Sequence, residues 1–211
     1  VFTLAVGEGF ALKAARPGSY LFLRTKENSG FYELPISVMA ADPETGHIHV
    51  AVKILSAKSK TLAEAEDSQM IRGIYRNGIQ GIRALMDKDT VGQKILLVTK
   101  GIGLAPGILA AEALNHRNQV DFVIDKEKIS EELIVDYMIN IDGSVRYLSL
   151  GKEEDLDELR QLLAKERYDL VVFLTSDFYI EVLKKLTKEV LPEARIAFSN
   201  NVRICCGEGI C

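Results

Sequence analysis

The stretch "QKILLVTKGIGLAPGILAAEALNHR" (93–117) decides how the chain folds. Its opening, "QKILLVT" (93–99), carries a continuous apolar run, the pattern of a strand buried on both faces rather than one with a wet side. Gly101 and Gly103 follow, and then "APGILAAEALNHR" (105–117) has helical composition, with Pro106 tolerated in the first turn. A buried strand, a glycine turn and a helix in succession are the start of a βαβ unit.

Working outward toward the C-terminus, the same rhythm repeats. "QVDFVID" (119–125) predicts a strand, "SEELIVDYM" (130–138) a helix and "VRYLSL" (145–150) a strand. "EEDLDELRQLLAKER" (153–167), "DLVVFLT" (169–175), "DFYIEVLKKLTKEV" (177–190) and "RIAFS" (195–199) then read as helix, strand, helix, strand. Residues 89–200 are therefore expected to form a doubly wound parallel α/β domain.

Working outward toward the N-terminus, the rhythm changes. "VFTLAV" (1–6), "RPGSYLFLRT" (16–25), "FYELPISVMAAD" (31–42) and, after the turn "DPETG" (42–46), "HIHVAVKIL" (47–55) read as closely spaced strands. Strands so arranged close their hydrogen bonding as an antiparallel barrel or a sandwich, predicted over 1–88. "DKDTVG" (87–92) is the expected linker.

Composition excludes several function classes. Hydrophobic content of 47% and charged content of 27% over 211 residues suit a globular chain. Lys and Arg number 26 against 30 Asp and Glu, a net charge of -4 without a basic block, so no nucleic-acid partner is expected. No apolar run approaches the roughly 20 residues of a spanning helix, so membrane insertion is not expected. The first residues do not read as a signal peptide, and without an initiator Met the natural chain is expected to begin earlier. His47, His49 and His116 fall on a turn, a strand and a helix end and read as surface residues, and no nucleophile and base stand together.

Three places carry chemistry. All three cysteines lie in "CCGEGIC" (205–211), which fits a metal or redox site in a reducing cytoplasm better than a disulfide framework. Cys206 and Cys211 have the C-x4-C spacing that opens a plant-type 2Fe-2S pattern, while Cys205 points away from Cys206 in an extended backbone. A cluster needs four thiolates, so the natural chain is expected to continue past Cys211, and the loop as given is expected to be empty. At the "KGIGLAP" turn, Gly101, Gly103, Ala105 and Pro106 could let a pyrophosphate approach the backbone, or could form a tight turn and nothing more. Asp125, at the end of the next strand, stands where a carboxylate can accept a ribose 2'-hydroxyl, or where an acid is simply solvated. "ELPISV" (33–38) and "SAKSKT" (56–61) offer backbone amides, Ser37, Thr61, Lys58 and Lys60 to a phosphate, and by composition alone are ordinary strand and loop.

In order and spacing, "RPGSYLFLR", "PISV", "VKI…SKT", "RNG", "GIGLAP" and "CCGEGIC" together resemble the ferredoxin-NADP reductase superfamily, and within it the electron-transfer subunits of dihydroorotate dehydrogenase and their relatives. The resemblance implies a flavin-binding β-barrel, an NAD(P)H-binding α/β domain, and from residue 201 the start of a 2Fe-2S loop that passes electrons to a separate catalytic oxidoreductase subunit. It implies FAD contacts at Pro35, Ile36, Ser37, Val38, Lys53, Ile54, Lys60, Thr61, Asn77 and Gly78. The same likeness puts the nicotinamide nucleotide at Gly101, Gly103, Ala105 and Pro106, and the first two cluster ligands at Cys206 and Cys211.

The departures from that pattern matter as much. Leu34 stands where the family's flavin motif has arginine, Lys60 and Arg76 where it has glycine, and Thr175-Ser176 where it commonly has Cys-Gly. Lys58, Lys60 or Arg76 could restore the lost positive charge. The expected function is an NAD(P)H-dependent electron-transfer flavoprotein subunit; the alternative is a non-catalytic subunit or regulator with degenerate cofactor sites.

Overall fold

A computed structural model describes residues 1–24, 33–64, 70–81, 91–126, 136–137 and 143–201. The opening stretch forms β7 (Lys94–Thr99), a single 3-10 turn (Gly101–Gly103) and α3 (Leu104–Asn115). β8 (Gln119–Asp125), β9 (Val145–Leu148), α4 (Glu153–Glu166), β10 (Leu170–Leu174), α5 (Asp177–Val190) and β11 (Arg195–Ser199) follow as the periodicity predicts. The helix expected at 130–138 lies almost wholly outside the described residues.

The second sheet runs β11-β10-β7-β8-β9, all parallel, with the two-residue β6 (Ile79–Gln80) antiparallel on the β11 edge. The chain winds outward from β7 in one direction and from β10 in the other, so the two adjacent strands flank a topological switch point. The pleat divides the apolar runs between two cores. Ile95 and Leu97 join Phe122, Val172 and α3 on one face, while Leu96 and Val98 join Val123, Val171 and the pair α4 and α5 on the other.

The first sheet is antiparallel and curled, in the order β1-β4-β3-β2-β5, from β1 (Phe2–Ala5), β4 (His47–Val50), β3 (Leu34–Asp42), β2 (Tyr20–Arg24) and β5 (Met70–Tyr75). Its edges are β1 and β5, which do not pair with each other among the described residues, so it forms a half-barrel. Two helices sit where only strands and loops are expected from the sequence: α1 (Glu8–Ala14), which turns Ala11 and Ala14 into the sheet, and α2 (Ala57–Glu64). β4 also ends at Val50, short of the predicted 55, because from Ala51 onward the chain leaves the ladder.

α3 joins the two halves. Residues Leu104–Ala111 and Leu114 are all buried, a helix apolar around its whole circumference because it is covered on both sides. Ile108 and Ala111 belong to the core of the parallel sheet, whereas Leu109 packs with Val38, Ile48 and Val50 of the half-barrel.

Candidate cofactor-binding cleft

A cleft of about 730 Å³ lies at the C-terminal ends of β7 and β10, between the switch point and the half-barrel. One wall comes from the turn after β7 (Lys100, Ile102, Gly103, Pro106) and the turn after β10 (Thr175, Ser176, Asp177). The facing wall comes from β3 (Leu34–Ser37) and from the chain after β4 (Ala51–Lys53, Leu55, Ser56, Ser59). Tyr20, Asn77, Gly78 and Ser199–Asn201 complete the lining.

Local sequence explains how each wall is held. A Cβ on Gly103 would stand 1.9 Å from the Leu174 carbonyl oxygen, so glycine is what lets the α3 turn press against the end of β10. Gly101 adopts φ 57, the left-handed region that glycine enters without strain. On the opposite wall the strand alternation of β3 sends Ile36 and Val38 into the core and leaves Pro35 and Ser37 toward the cleft. Tyr20 is the cross-strand partner of Ser37. Its ring stacks on Tyr75 at 5.3 Å and its hydroxyl bonds the Asn77 side chain. Burial and the neighbouring Tyr75 raise the Tyr20 pKa, with Asn77 and Arg72 opposing, so its hydroxyl remains a hydrogen-bond donor at neutral pH.

The N-terminus of α2 also opens on the cleft. Ser59 Oγ accepts the Leu55 and Ser56 N–H groups at 2.9 Å each and donates to the Ser56 carbonyl, while Ser56 Oγ receives the Ser59 N–H. "SAKSKT" is thus a capped helix start rather than a loop. Across the cleft, the Thr175 carbonyl accepts Ser199 Oγ at 2.8 Å and Asn201 Nδ2 at 2.7 Å. Thr175 itself is only 6% exposed, and its hydroxyl has no hydrogen-bond partner among the described residues.

Of the residues singled out in the sequence, the cleft gathers Pro35, Ile36, Ser37, Lys53, Asn77, Gly78, Gly103 and Pro106. It leaves out Val38 and Ala105, which are core residues, and Ile54, whose side chain is exposed beside it. Gly101 shapes the turn without lining the cleft. Thr61 bonds back to the Ala57 carbonyl, and Lys60 faces Glu64 in solvent. Arg76 turns away to the Lys13 carbonyl, the Lys58 side chain lies outside what the structure describes, and among the described residues the half-barrel cation lining the cleft is Lys53. Cys206 and Cys211 lie outside the described residues.

Asp125 is neither solvated nor open: it is 3% exposed, with Oδ1 on Lys100 Nζ at 2.8 Å and Oδ2 accepting the Leu150 N–H at 2.7 Å. Lys100, Asp177, Asn200 and Asn201 were not legible as site residues, since a lysine or an asparagine after a strand has no distinguishing pattern. The only available signal was position after a parallel strand at the switch point.

This arrangement of half-barrel, parallel sheet and cleft is the ferredoxin reductase fold. Among solved structures, the NADH-dependent reduced ferredoxin-NADP oxidoreductase matches all of this chain and 78% of its own chain at TM-score 0.69 and 19% identity. The ferredoxin reductase in carbazole 1,9a-dioxygenase matches 87% of this chain and 59% of its own at TM-score 0.63 and 14% identity. The sequence relatives are more particular: they are electron-transfer subunits of dihydroorotate dehydrogenase B. The "Probable dihydroorotate dehydrogenase B (NAD(+)), electron transfer subunit" of Methanothermobacter thermautotrophicus is 24% identical over 212 aligned positions, covering 94% of this chain and 71% of the relative. The corresponding subunit of Streptococcus pneumoniae strain R6 is 31% identical over 120 positions, covering 56% of this chain and 44% of the relative. No family model matches the chain. No helix among the described residues is long and apolar enough to cross a membrane.

Proposed function

We propose that the chain is an electron-transfer flavoprotein subunit that moves electrons between NAD(P)H, FAD and a 2Fe-2S cluster, to or from a partner oxidoreductase subunit in the cytoplasm. The observation that carries this reading is the cleft. Eight residues aligned with cofactor motifs, drawn from both halves of the chain, converge on one volume at the switch point. Its size is within the ~300–1,000 Å³ of ordinary ligand pockets.

The residues present fit a flavin nucleotide. Pro35, Ser37 and Tyr20 offer an apolar and hydroxyl-bearing surface for a ring, and Lys53 with the N-terminus of α2 offers positive charge and N–H groups for a phosphate. When bound, FAD supplies the exchange between a two-electron hydride and single electrons. The chain's own part is positional: Asn77 and Tyr75 fix the Tyr20 ring, Gly103 brings the nucleotide turn against β10, and Thr175 lines the cleft with a buried hydroxyl that has no partner among the described residues. For the cluster, the support is the thiol spacing.

The alternative, a non-catalytic subunit, is favoured by one observation. Neither Lys60 nor Arg76 supplies the charge missing at Leu34. Titrating the cofactor-stripped protein with FAD and with FMN separates the two readings. The flavoprotein reading expects saturable binding of FAD that is weakened by Lys53→Met; absence of binding of either flavin would support the alternative.

A further inference from the structure

Charge is divided unevenly in the cleft. Among the described residues that line it, the cations are Lys53 on the half-barrel wall and Lys100 at the end of β7, and the acid is Asp177 at the end of β10. Lys100 already pairs with Asp125 at 2.8 Å, outside the lining. Asp177 is the first residue of α5, where an acid complements the helix dipole whether or not a ligand arrives. That duty does not account for how its carboxylate is held. Asn201, from the chain after β11, donates its amide N–H groups to the Thr175 carbonyl at 2.7 Å and to Asp177 Oδ1 at 3.0 Å. The acid is thereby fixed on the cleft wall beside Thr175 and Ser176, and it is exposed to whatever enters.

In a doubly wound fold a dinucleotide straddles the switch point, its pyrophosphate on the turn that opens a helix and its two nucleosides over opposite sets of strands. With the pyrophosphate at the Gly101–Gly103 turn, one nucleoside lies toward β8 and the other toward β10. The cleft opens over β7 and β10, facing the half-barrel wall. The nucleoside on the β10 side is therefore the one that can meet a flavin, and it is the nicotinamide.

From this geometry we infer that Asp177 is a specificity residue that reads the redox state of the nucleotide, favouring the oxidised pyridinium over the neutral dihydronicotinamide. The inference rests on the reading that a nicotinamide dinucleotide docks at the 101–106 turn. The two redox forms share adenine, riboses and pyrophosphate and differ by one hydride, which leaves with two electrons and gives the ring a unit positive charge. Contacts to the shared parts cancel in the comparison. A carboxylate at the ring end does not cancel, because it attracts only the charged form. Water screens an exposed acid, so the preference is modest, about fivefold. By linkage, a fivefold preference lowers the potential of the bound two-electron couple by about 20 mV, which makes the bound reduced nucleotide the stronger hydride donor.

The test is calorimetric binding of three ligands to the flavin-loaded protein: NAD+, 1,4,5,6-tetrahydro-NAD, whose ring is uncharged and gives no hydride, and ADP-ribose, which has no nicotinamide. The titrations are repeated with the NADP forms. Wild type is expected to prefer the oxidised over the tetrahydro ligand by about fivefold. Asp177→Asn, which keeps an acceptor for Asn201, is expected to bring the two within about twofold by weakening only the oxidised ligand, with ADP-ribose unchanged within about twofold. Asp177→Glu keeps the charge and is expected to keep the preference. If Asp177→Asn folds poorly, Asp177→Ser removes the charge with another residue suited to a helix start and carries the same expectation. Equal binding of the two redox forms by wild type, or a preference that survives in the uncharged variants, would overturn the assignment and leave the nucleotide site standing. Loss of ADP-ribose binding in step with the oxidised ligand would also overturn it, since the acid would then act on the whole cleft. Failure of wild type, with flavin bound, to take up any of these nucleotides would overturn the nucleotide reading itself and the assignment with it.

Discussion

At the scale of single residues, the two glycines of the β7–α3 turn have different duties. Gly103→Ala is expected to destabilise the chain severely, by about 3 kcal/mol or more, because its methyl would overlap the Leu174 carbonyl and force α3 away from β10. Gly101→Ala is expected to cost only about 1 kcal/mol, the ordinary price of a left-handed backbone. Denaturant midpoints of the two variants check the ranking. Thr175→Val should leave stability unchanged or raise it by about 1 kcal/mol, since a buried hydroxyl without a partner among the described residues is removed. The same variant should weaken nucleotide binding, which separates a ligand-facing hydroxyl from a packing defect.

Of the residues singled out from the sequence, those that the cleft gathers include Pro35–Ser37, Gly78 and Gly103, positions where backbone geometry constrains the choice. Reading the sequence could not place side chains on long stems. Lys60 and Arg76 were plausible sources of cofactor charge by position, and the helical turn of α2 and the proximity of α1 send them elsewhere.

At the scale of elements, α3 is the part on which both sheets depend. Leu109→Ala removes a side chain from the half-barrel core although the helix belongs to the parallel sheet, and is expected to cost about 2–4 kcal/mol. Because one helix serves both cores, the variant should still unfold in a single transition, read as coincident loss of far-ultraviolet circular dichroism and tyrosine fluorescence; two separated transitions would show that the halves are independent.

The end of α4 gives a pH dependence. Glu166 bonds and pairs with Lys94, which lowers its pKa below the ordinary 4.5. The unfolded chain therefore takes up protons first as pH falls. The stabilisation is complete above the ordinary carboxylate value and disappears as pH drops through the lower folded value. Glu166→Gln is expected to lower the thermal midpoint at pH 7, by a difference that shrinks as the pH falls below the ordinary carboxylate value.

Among the described residues, elements after residue 93 were legible almost to the residue, because buried parallel strands and amphipathic helices differ sharply in period. In the first half, α1 and α2 were missed. Seven- and eight-residue helices present too few turns to show a period, and α2 buries little beyond Ser59 and Leu62.

At the scale of the whole molecule, β6 crosses from the first half of the chain to the edge of the second sheet, where Ile79 and Gln80 pair with Ser199 and Phe198. Asn200 reinforces the joint: its N–H bonds the Gly78 carbonyl at 2.8 Å and its amide bonds the Asn77 carbonyl at 3.1 Å. The cleft is therefore held on both sides by covalent and hydrogen-bonded links. Its residues come from segments as far apart as Tyr20 and Asn201, which is why no local motif in the sequence displays it.

The central claim, that this cleft holds a flavin which exchanges electrons with a nicotinamide nucleotide, is tested most directly by the visible spectrum of the full natural chain. The protein would be purified without oxygen and its spectrum recorded before and after addition of NADH. Flavin absorption that bleaches on addition of NADH is the predicted result. A colourless protein, or flavin absorption that NADH leaves unchanged, would contradict it.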